Sequence, residues 1–296
     1  MTTVTCAESL ALAPAERRRA LEDLVRSARR RLALTLVRWN DAGVMDELGA
    51  AVDRGVLVDV LLSQQARGDR GEPGELAGLL ERMGVRVHAY ADPAVKYHAK
   101  ILIADDGPAL IGSFNLTRRC LSRTCDFCVT TWDPAVVAEA WQVFEHDCGG
   151  GPPGAVVPDG RLLVGPGPLR DALTTLIERA SRSIYVLDHK LRDPSMLSLL
   201  DTRRAEGVAI DLLGAPRVLP YRAHGRLLLI DESTAVIGSA SLSRRSLDER
   251  REVAIVVSDP ALVARLCAFV RWTVDRGGDE STWHVAGATP CGPSPA

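Results

Sequence analysis

The chain has 296 residues, 46% hydrophobic and 25% charged, a composition that supplies a globular core and excludes a fibrous or wholly disordered protein. A formal net charge of −2 gives no overall field that would draw the chain onto nucleic acid or an anionic membrane, so any basic groove must be local. No apolar run approaches the roughly 18 residues of a membrane-spanning helix, and length alone suggests about two domains.

The first residues pass from small and polar to the charged run Glu16-Arg17-Arg18-Arg19, without an apolar stretch and cleavage site. No secretory signal is expected, and the cytoplasm is the default location. Arg17–Arg19 and Arg29–Arg31 are expected on exposed helix faces. Helical stretches then alternate with short β-branched runs, which predicts an α/β architecture. A helix is expected near 75–83 and a strand at 85–90. Strands at 97–103 and 109–112 flank the turn signal Asp105-Asp106-Gly107-Pro108, and a strand-like run covers 127–132. Gly149-Gly150-Gly151-Pro152-Pro153-Gly154 breaks any regular element. A further strand is expected at 183–187. The predicted organisation is a first half at 1–148, a linker at 149–168, a second half at 169–275 and a disordered tail at 276–296.

The seven cysteines, an odd number without a signal peptide, suit reduced thiols. Cys120, Cys125, Cys128 and Cys148 raise the question of a zinc site. Positions three apart on a strand face opposite ways, so small buried thiols are the better reading.

The chain repeats itself. Residues 98–105 (HAKILIAD) and 111–116 (IGSFNL) match 224–231 (HGRLLLID) and 237–242 (IGSASL) at a constant offset of 126. Arg118-Arg119 falls on Arg244-Arg245, Asp126 on Glu252, and Asp133-Pro134 on Asp259-Pro260 at the same offset. Upstream, 25–34 (VRSARRRLAL) resembles 177–186 (IERASRSIYV) at an offset of 152. The 26-residue difference places a gap in the second copy, which crosses with only Ala215 to Tyr221 where the first carries a loop, a helix and a strand between Gln64 and Tyr90. Two copies in one chain predict two α/β sandwich halves related by a pseudo-two-fold axis, with no partner chain needed.

Alternation puts His98, Lys100 and Leu102 on one face of their strand. Ser113 and Asn115, again two apart, share a direction. Symmetry brings His224, Arg226, Ser239 and Ser241 towards them. Two imidazoles and two cations around one point suit a phosphoryl group: one imidazole attacks phosphorus, the other protonates the leaving oxygen, and the cations hold the developing charge.

These residues resemble the phospholipase D superfamily, whose signature is His-x-Lys-x4-Asp followed by Gly-Ser-x-Asn. The first copy matches at His98, Lys100, Asp105, Gly112, Ser113 and Asn115. The second keeps His224, Asp231, Gly238 and Ser239 but has Arg226 for Lys and Ser241 for Asn. The resemblance runs from about Leu21 to Asp275. It implies a phospholipase D-like fold for both halves, a phosphohistidine on His98, His224 as general acid and then base, and no metal or other cofactor. Asp126 and Glu252, each 28 residues after a histidine, match the acidic position that orients the imidazole. Asp105 and Asp231 are expected to cap turns. His88, His146 and His284 read as structural.

Arg118 and Arg244, with the arginines that follow them, are candidates for phosphate-backbone contact. Lys190 lies at the repeat position of Arg38. Trp39 either stacks on substrate or packs in the core. The expected substrate is a phosphodiester, with nucleic acid favoured for a cytoplasmic nuclease or processing enzyme. The alternatives are a phospholipase D or phosphatidyl transferase on lipid headgroups, a small-molecule phosphodiesterase, and a phosphate-binding protein with a weakened second site.

Overall fold

The computed structural model describes residues 7–67, 73–214, 217–218 and 221–274. Cys6, Cys291, His284 and the expected tail lie outside them. The first half runs β1 (Glu8–Ala11), α1 (Pro14–Ser27), β2 (Arg31–Arg38), α2 (Ala42–Asp53), β3 (Leu57–Arg67), α3 (Pro73–Arg82), β4 (Arg86–Ala89), β5 (Lys96–Tyr97), β6 (Ile101–Ala104), β7 (Ala109–Gly112), β8 (Thr124–Cys125), β9 (Cys128–Thr131) and α4 (Pro134–Cys148). The second runs β10 (Leu162–Val164), α5 (Pro168–Glu178), β11 (Ser183–Leu187), α6 (Pro194–Ala205), β12 (Ala209–Leu213), β13 (Arg217–Val218), β14 (Tyr221–Ala223), β15 (Leu227–Ile230), β16 (Thr234–Gly238), α7 (Arg244–Glu249), β17 (Arg250–Arg251), β18 (Val253–Val257) and α8 (Pro260–Val274).

Each half builds one sheet, and the two sheets share a strand order. The first reads β1-β9-β7-β6-β2-β3-β4 and the second β10-β18-β16-β15-β11-β12. The two orders correspond strand for strand except at β4. Among the described residues the second half likewise has no counterpart of α3, so the missing pair accounts for the change in offset. Within the stretch expected as linker, Leu162–Val164 pairs with β18 and forms the edge of the second sheet. Gly and Pro flank that strand on both sides, which hides three residues of β structure from a reading by composition.

Local signals explain the helix starts. Asp133 and Asp259, at equivalent positions, each precede a proline and accept hydrogen bonds from the first-turn amides, Ala135 N at 3.0 Å and Ala261 N at 2.9 Å. Central strands are buried on both faces, and their alternation divides two cores. Ile101 and Ile103 join Leu227 and Leu229 in a core shared by the halves, together with Phe144 of α4 and Phe269 of α8. Leu102 and Ala104 face a core private to the first half, and Leu228 and Ile230 one private to the second. The pseudo-two-fold pair is therefore fused through its apolar centre.

Two short ladders stitch the seam. β17 pairs in parallel with β5, and β14 with β8, each joining one half to the other. Beside them Arg251, fully buried, pairs with buried Asp147 of α4, Nε to Oδ2 at 3.0 Å. Arg17 departs from its expected exposed position. It is completely buried, and its guanidinium donates to the carbonyls of Asp126 at 2.9 Å, Cys120 at 3.1 Å and Thr124 at 2.7 Å. Those carbonyls belong to the segment between β7 and β9, which has little ladder of its own to satisfy them.

Candidate active site

The stitching ladders place both histidines. His98 follows β5 and donates its backbone N–H to Arg251 O at 2.9 Å; His224 follows β14 and donates to Cys125 O at 3.3 Å. Each imidazole is thus anchored beside the acidic residue of the opposite half. His98 Nδ1 lies 2.8 Å from Glu252 Oε2, and His224 Nδ1 lies 2.8 Å from Asp126 Oδ1. The carboxylates serve the histidines reciprocally, so neither half holds a complete dyad. Because both carboxylates are ionised acceptors, each Nδ1 carries a proton and each Nε2 faces away from its carboxylate.

Electrostatics keep that arrangement. Burial, helped by the charges of Lys100 and Arg250, pushes the His98 pKa down to about 3 against the pull of Glu252. The ring is neutral and nucleophilic at ordinary pH. Burial works to raise both carboxylates, yet His98 and Lys100 hold Glu252 below its usual range, and His224 and Arg17 do the same for Asp126. The remaining acceptor positions are filled: Ser113 Oγ donates to Asp126 Oδ1 at 2.7 Å, and Ser246 Oγ to Glu252 Oε1 at 2.7 Å.

The serines depart from expectation. Ser113, Ser239 and Ser241, predicted to contact substrate, are all buried. Ser113 Oγ also accepts from Phe127 N at 2.9 Å, Ser239 Oγ accepts from Val253 N at 3.0 Å, and Ser241 Oγ donates to Asp188 Oδ2 at 2.8 Å. Their hydroxyls hold strands and carboxylates in place, because a buried hydroxyl must find partners inside the protein. Trp39 is half-buried against the first-half core, its indole N–H donating to Asp41 O at 2.7 Å, so it takes the packing role. Asp105 and Asp231 lie at the far ends of β6 and β15 with positive φ, each accepting from backbone amides before β2 or β11, such as Arg30 N and Arg182 N. Both sit in the turns that end their strands. Gly238 has no room for a side chain, since a Cβ there would lie 2.3 Å from Val253 O; Gly112 is merely close to Phe114. His88 bonds Asp59 and His146 bonds Pro152 O, both structural.

The second copy's two departures meet at one residue. Arg226 Nε lies 3.2 Å from Asp188 Oδ1, while Asp188 Oδ2 takes Ser241 Oγ and, at 2.7 Å, Leu242 N. At the equivalent first-half position stands Leu36, beside Lys100 and Asn115, which line one recess. Asn115 Oδ1 is buried without a partner. Lys for Arg, Asn for Ser and Leu for Asp are therefore one coupled exchange, in which the acid neutralises the bulkier guanidinium.

Three cationic or imidazole groups escaped the sequence reading or gained a neighbour. His189 stacks on His224 with ring centroids 6.3 Å apart, and burial with Arg226 and Lys190 lowers its pKa to about 4. Its position beside Lys190 at the end of β11 was the available signal. Arg250, two residues before Glu252, is partly buried near Lys100 and His98. Lys190 is exposed at the same rim. Arg118 and Arg119 are exposed on the turn beyond the first site loop and Arg244 and Arg245 at the start of α7, and Arg118 is tied to Asn40 O at 3.2 Å.

Lys100 is buried, donates to His98 O, and has its pKa lowered to about 7 by burial and by Arg226. Only the charged amine stabilises phosphate, so kcat/KM is expected to fall about tenfold per pH unit above that value. Lys100→Arg combined with Leu36→Asp and Asn115→Ser, which copies the second-half arrangement, moves this alkaline limb out of range, since guanidinium stays charged. A limb unmoved in the variant would remove Lys100 as its source.

The family model for the cardiolipin synthase, PLD-like domain matches residues 21–148 and 176–272. A polyphosphate kinase of Vibrio vulnificus is 26% identical over 260 residues, covering 75% of this chain and 37% of that protein. The chain thus spans well under half the length of the curated relatives it matches. Among solved structures, the polyphosphate kinase of Porphyromonas gingivalis superposes with a TM-score of 0.75 at 22% identity, over 90% of this chain and 47% of that one. Phosphatidylserine synthase of Haemophilus influenzae gives 0.69 at 12% identity, over 93% and 87%. Among the described residues no helix is long and apolar enough to cross a membrane. Two sheets of matching order, a seam that exchanges carboxylates between histidines, and a family model covering both halves lead to one assignment: the chain belongs to the phospholipase D superfamily of phosphoryl-transfer enzymes, in its cardiolipin synthase, PLD-like domain family.

Proposed function

We propose that the chain cleaves nucleic-acid phosphodiesters by two in-line steps at phosphorus. His98 Nε2 attacks, the P–O bond to the leaving group breaks, and His224 Nε2–H protonates the departing oxygen. Water then attacks the phosphohistidine, giving its proton to His224 as the P–N bond breaks and His98 is released. Lys100, Arg226 and Arg250 hold the charge on the non-bridging oxygens. The reciprocal pairing of two imidazoles with opposite-half carboxylates carries this reading, because it gives both rings a fixed Nδ1–H and an outward Nε2.

The repeated exposed arginines support nucleic acid as substrate. Four phosphate contacts to a single strand give a log–log salt slope of about −2.8, or roughly a 50-fold loss of affinity between 50 and 200 mM salt. End-labelled single-stranded oligonucleotide is expected to be cleaved in EDTA, and not by His98→Ala. A second reading, a phosphoanhydride chain as donor, is favoured by the 26% identity to a polyphosphate kinase. Polyphosphate consumed while the oligonucleotide stays intact would select it, and turnover of phosphatidyl esters in vesicles would select lipid.

A further inference from the structure

Pseudo-symmetry isolates one chemical difference between the two dyads. Beside Glu252 stands Ser246, whose hydroxyl donates to the carboxylate at 2.7 Å. The equivalent position beside Asp126, 126 residues earlier, is Cys120. The Cys120 thiol, an Asp126 carboxylate oxygen and a His224 ring nitrogen all lie within 4.8 Å of one another. Cys120 and Asp126 are buried, while the His224 side chain is 32% exposed and gives access from the cleft. A hydroxyl at that place can only hydrogen-bond, whereas a thiol adds a soft ligand to an imidazole and a carboxylate. That is a zinc donor set. Tetrahedral zinc at ordinary bond lengths sets its ligands about 3.3–3.8 Å apart. The site reaches that spacing if the thiol closes in and the 2.8 Å contact between His224 and Asp126 opens slightly.

We propose that Cys120, Asp126 and His224 form an inhibitory site for a soft divalent cation, Zn²⁺ above all. This is not the four-cysteine set weighed from the sequence, whose other members serve as free thiols in the core or near it. On binding, the Cys120 thiol and His224 Nδ1 give their protons to solvent, while Nε2 keeps the hydrogen it carries as the acid; nothing is oxidised or reduced. His224 then has no lone pair facing the cleft. The inhibition rests on the role proposed above for His224, but the binding does not.

The test titrates Zn²⁺ and then Co²⁺ into the metal-free full chain, reading bound metal by equilibrium dialysis and the thiolate-to-cobalt charge-transfer absorption. One equivalent with a thiolate band is expected. Cys120→Ser, which copies the Ser246 arrangement, should lose the band and weaken binding by more than the roughly 10–100-fold that outer-shell partners contribute. Cys120→Ala should behave alike. Basal turnover should persist in Cys120→Ser while zinc inhibition disappears. Equal zinc binding in wild type and both variants, or cobalt bound without a thiolate band, would overturn the proposal. Zinc binding lost in the variants from a wild type that turns over no phosphoester would uphold the metal site and sink the catalytic reading instead.

Discussion

His98→Ala is expected to lose turnover on every substrate, on the order of 10⁴-fold or more, because the covalent intermediate is proposed to form on that ring. His224→Ala should behave differently. On a natural ester, whose alkoxide leaving group needs a proton, the loss should be about 10²–10⁴-fold. With an aryl diester such as a nitrophenyl ester the first step needs little protonation, and a burst of nitrophenolate should survive. Wild type and both variants compared on the two substrates give the check. Equal losses for His224→Ala on both would remove it as the acid.

The second large effect concerns stability. Arg251 and Asp147 form a buried ion pair beside the ladder that carries His98, and Arg251 Nη1 also donates to Gly165 O at 3.1 Å. Arg251→Met leaves the Asp147 carboxylate buried without its cation, at a cost of about 3–5 kcal/mol. The companion variant Arg251→Met/Asp147→Leu should recover most of it. Burial already raises the Asp147 pKa despite Arg251, and losing the guanidinium raises it further. The folded carboxyl then binds its proton more tightly than the unfolded one, so the single variant's deficit should shrink as pH falls. Urea unfolding across pH measures both; a deficit that grows on acidification would contradict this account.

Much of this was legible because the chain is written twice. A histidine two residues before a cation is an accident once; at constant offset, with its Gly-Ser turn and its acidic residue, it locates a site. The turn at Asp105, the strands around it and the trimmed second copy follow from the same comparison. What stayed hidden depends on contacts between distant segments. Asp126 lies 28 residues after His98, yet it serves His224, because parallel two-residue ladders cross the seam. Two-residue strands have no periodicity to read. Arg17 looks like part of a solvated run until the carbonyls it satisfies are seen. Arg226 and Ser241 look like two separate losses until Asp188 joins them. His189 carried no repeat partner, since its equivalent is Val37.

The central claim is that His98 carries the phosphoryl group and His224 moves the proton. Rapid acid-free quenching of the enzyme with a phosphorus-labelled aryl diester, followed by peptide mapping, tests it most directly. The account predicts an acid-labile, base-stable phosphohistidine on the peptide containing His98. It should be absent in His98→Ala and accumulate in His224→Ala, where no base activates water for the second step. Label on His224, or turnover with no covalent label in either form, would contradict it.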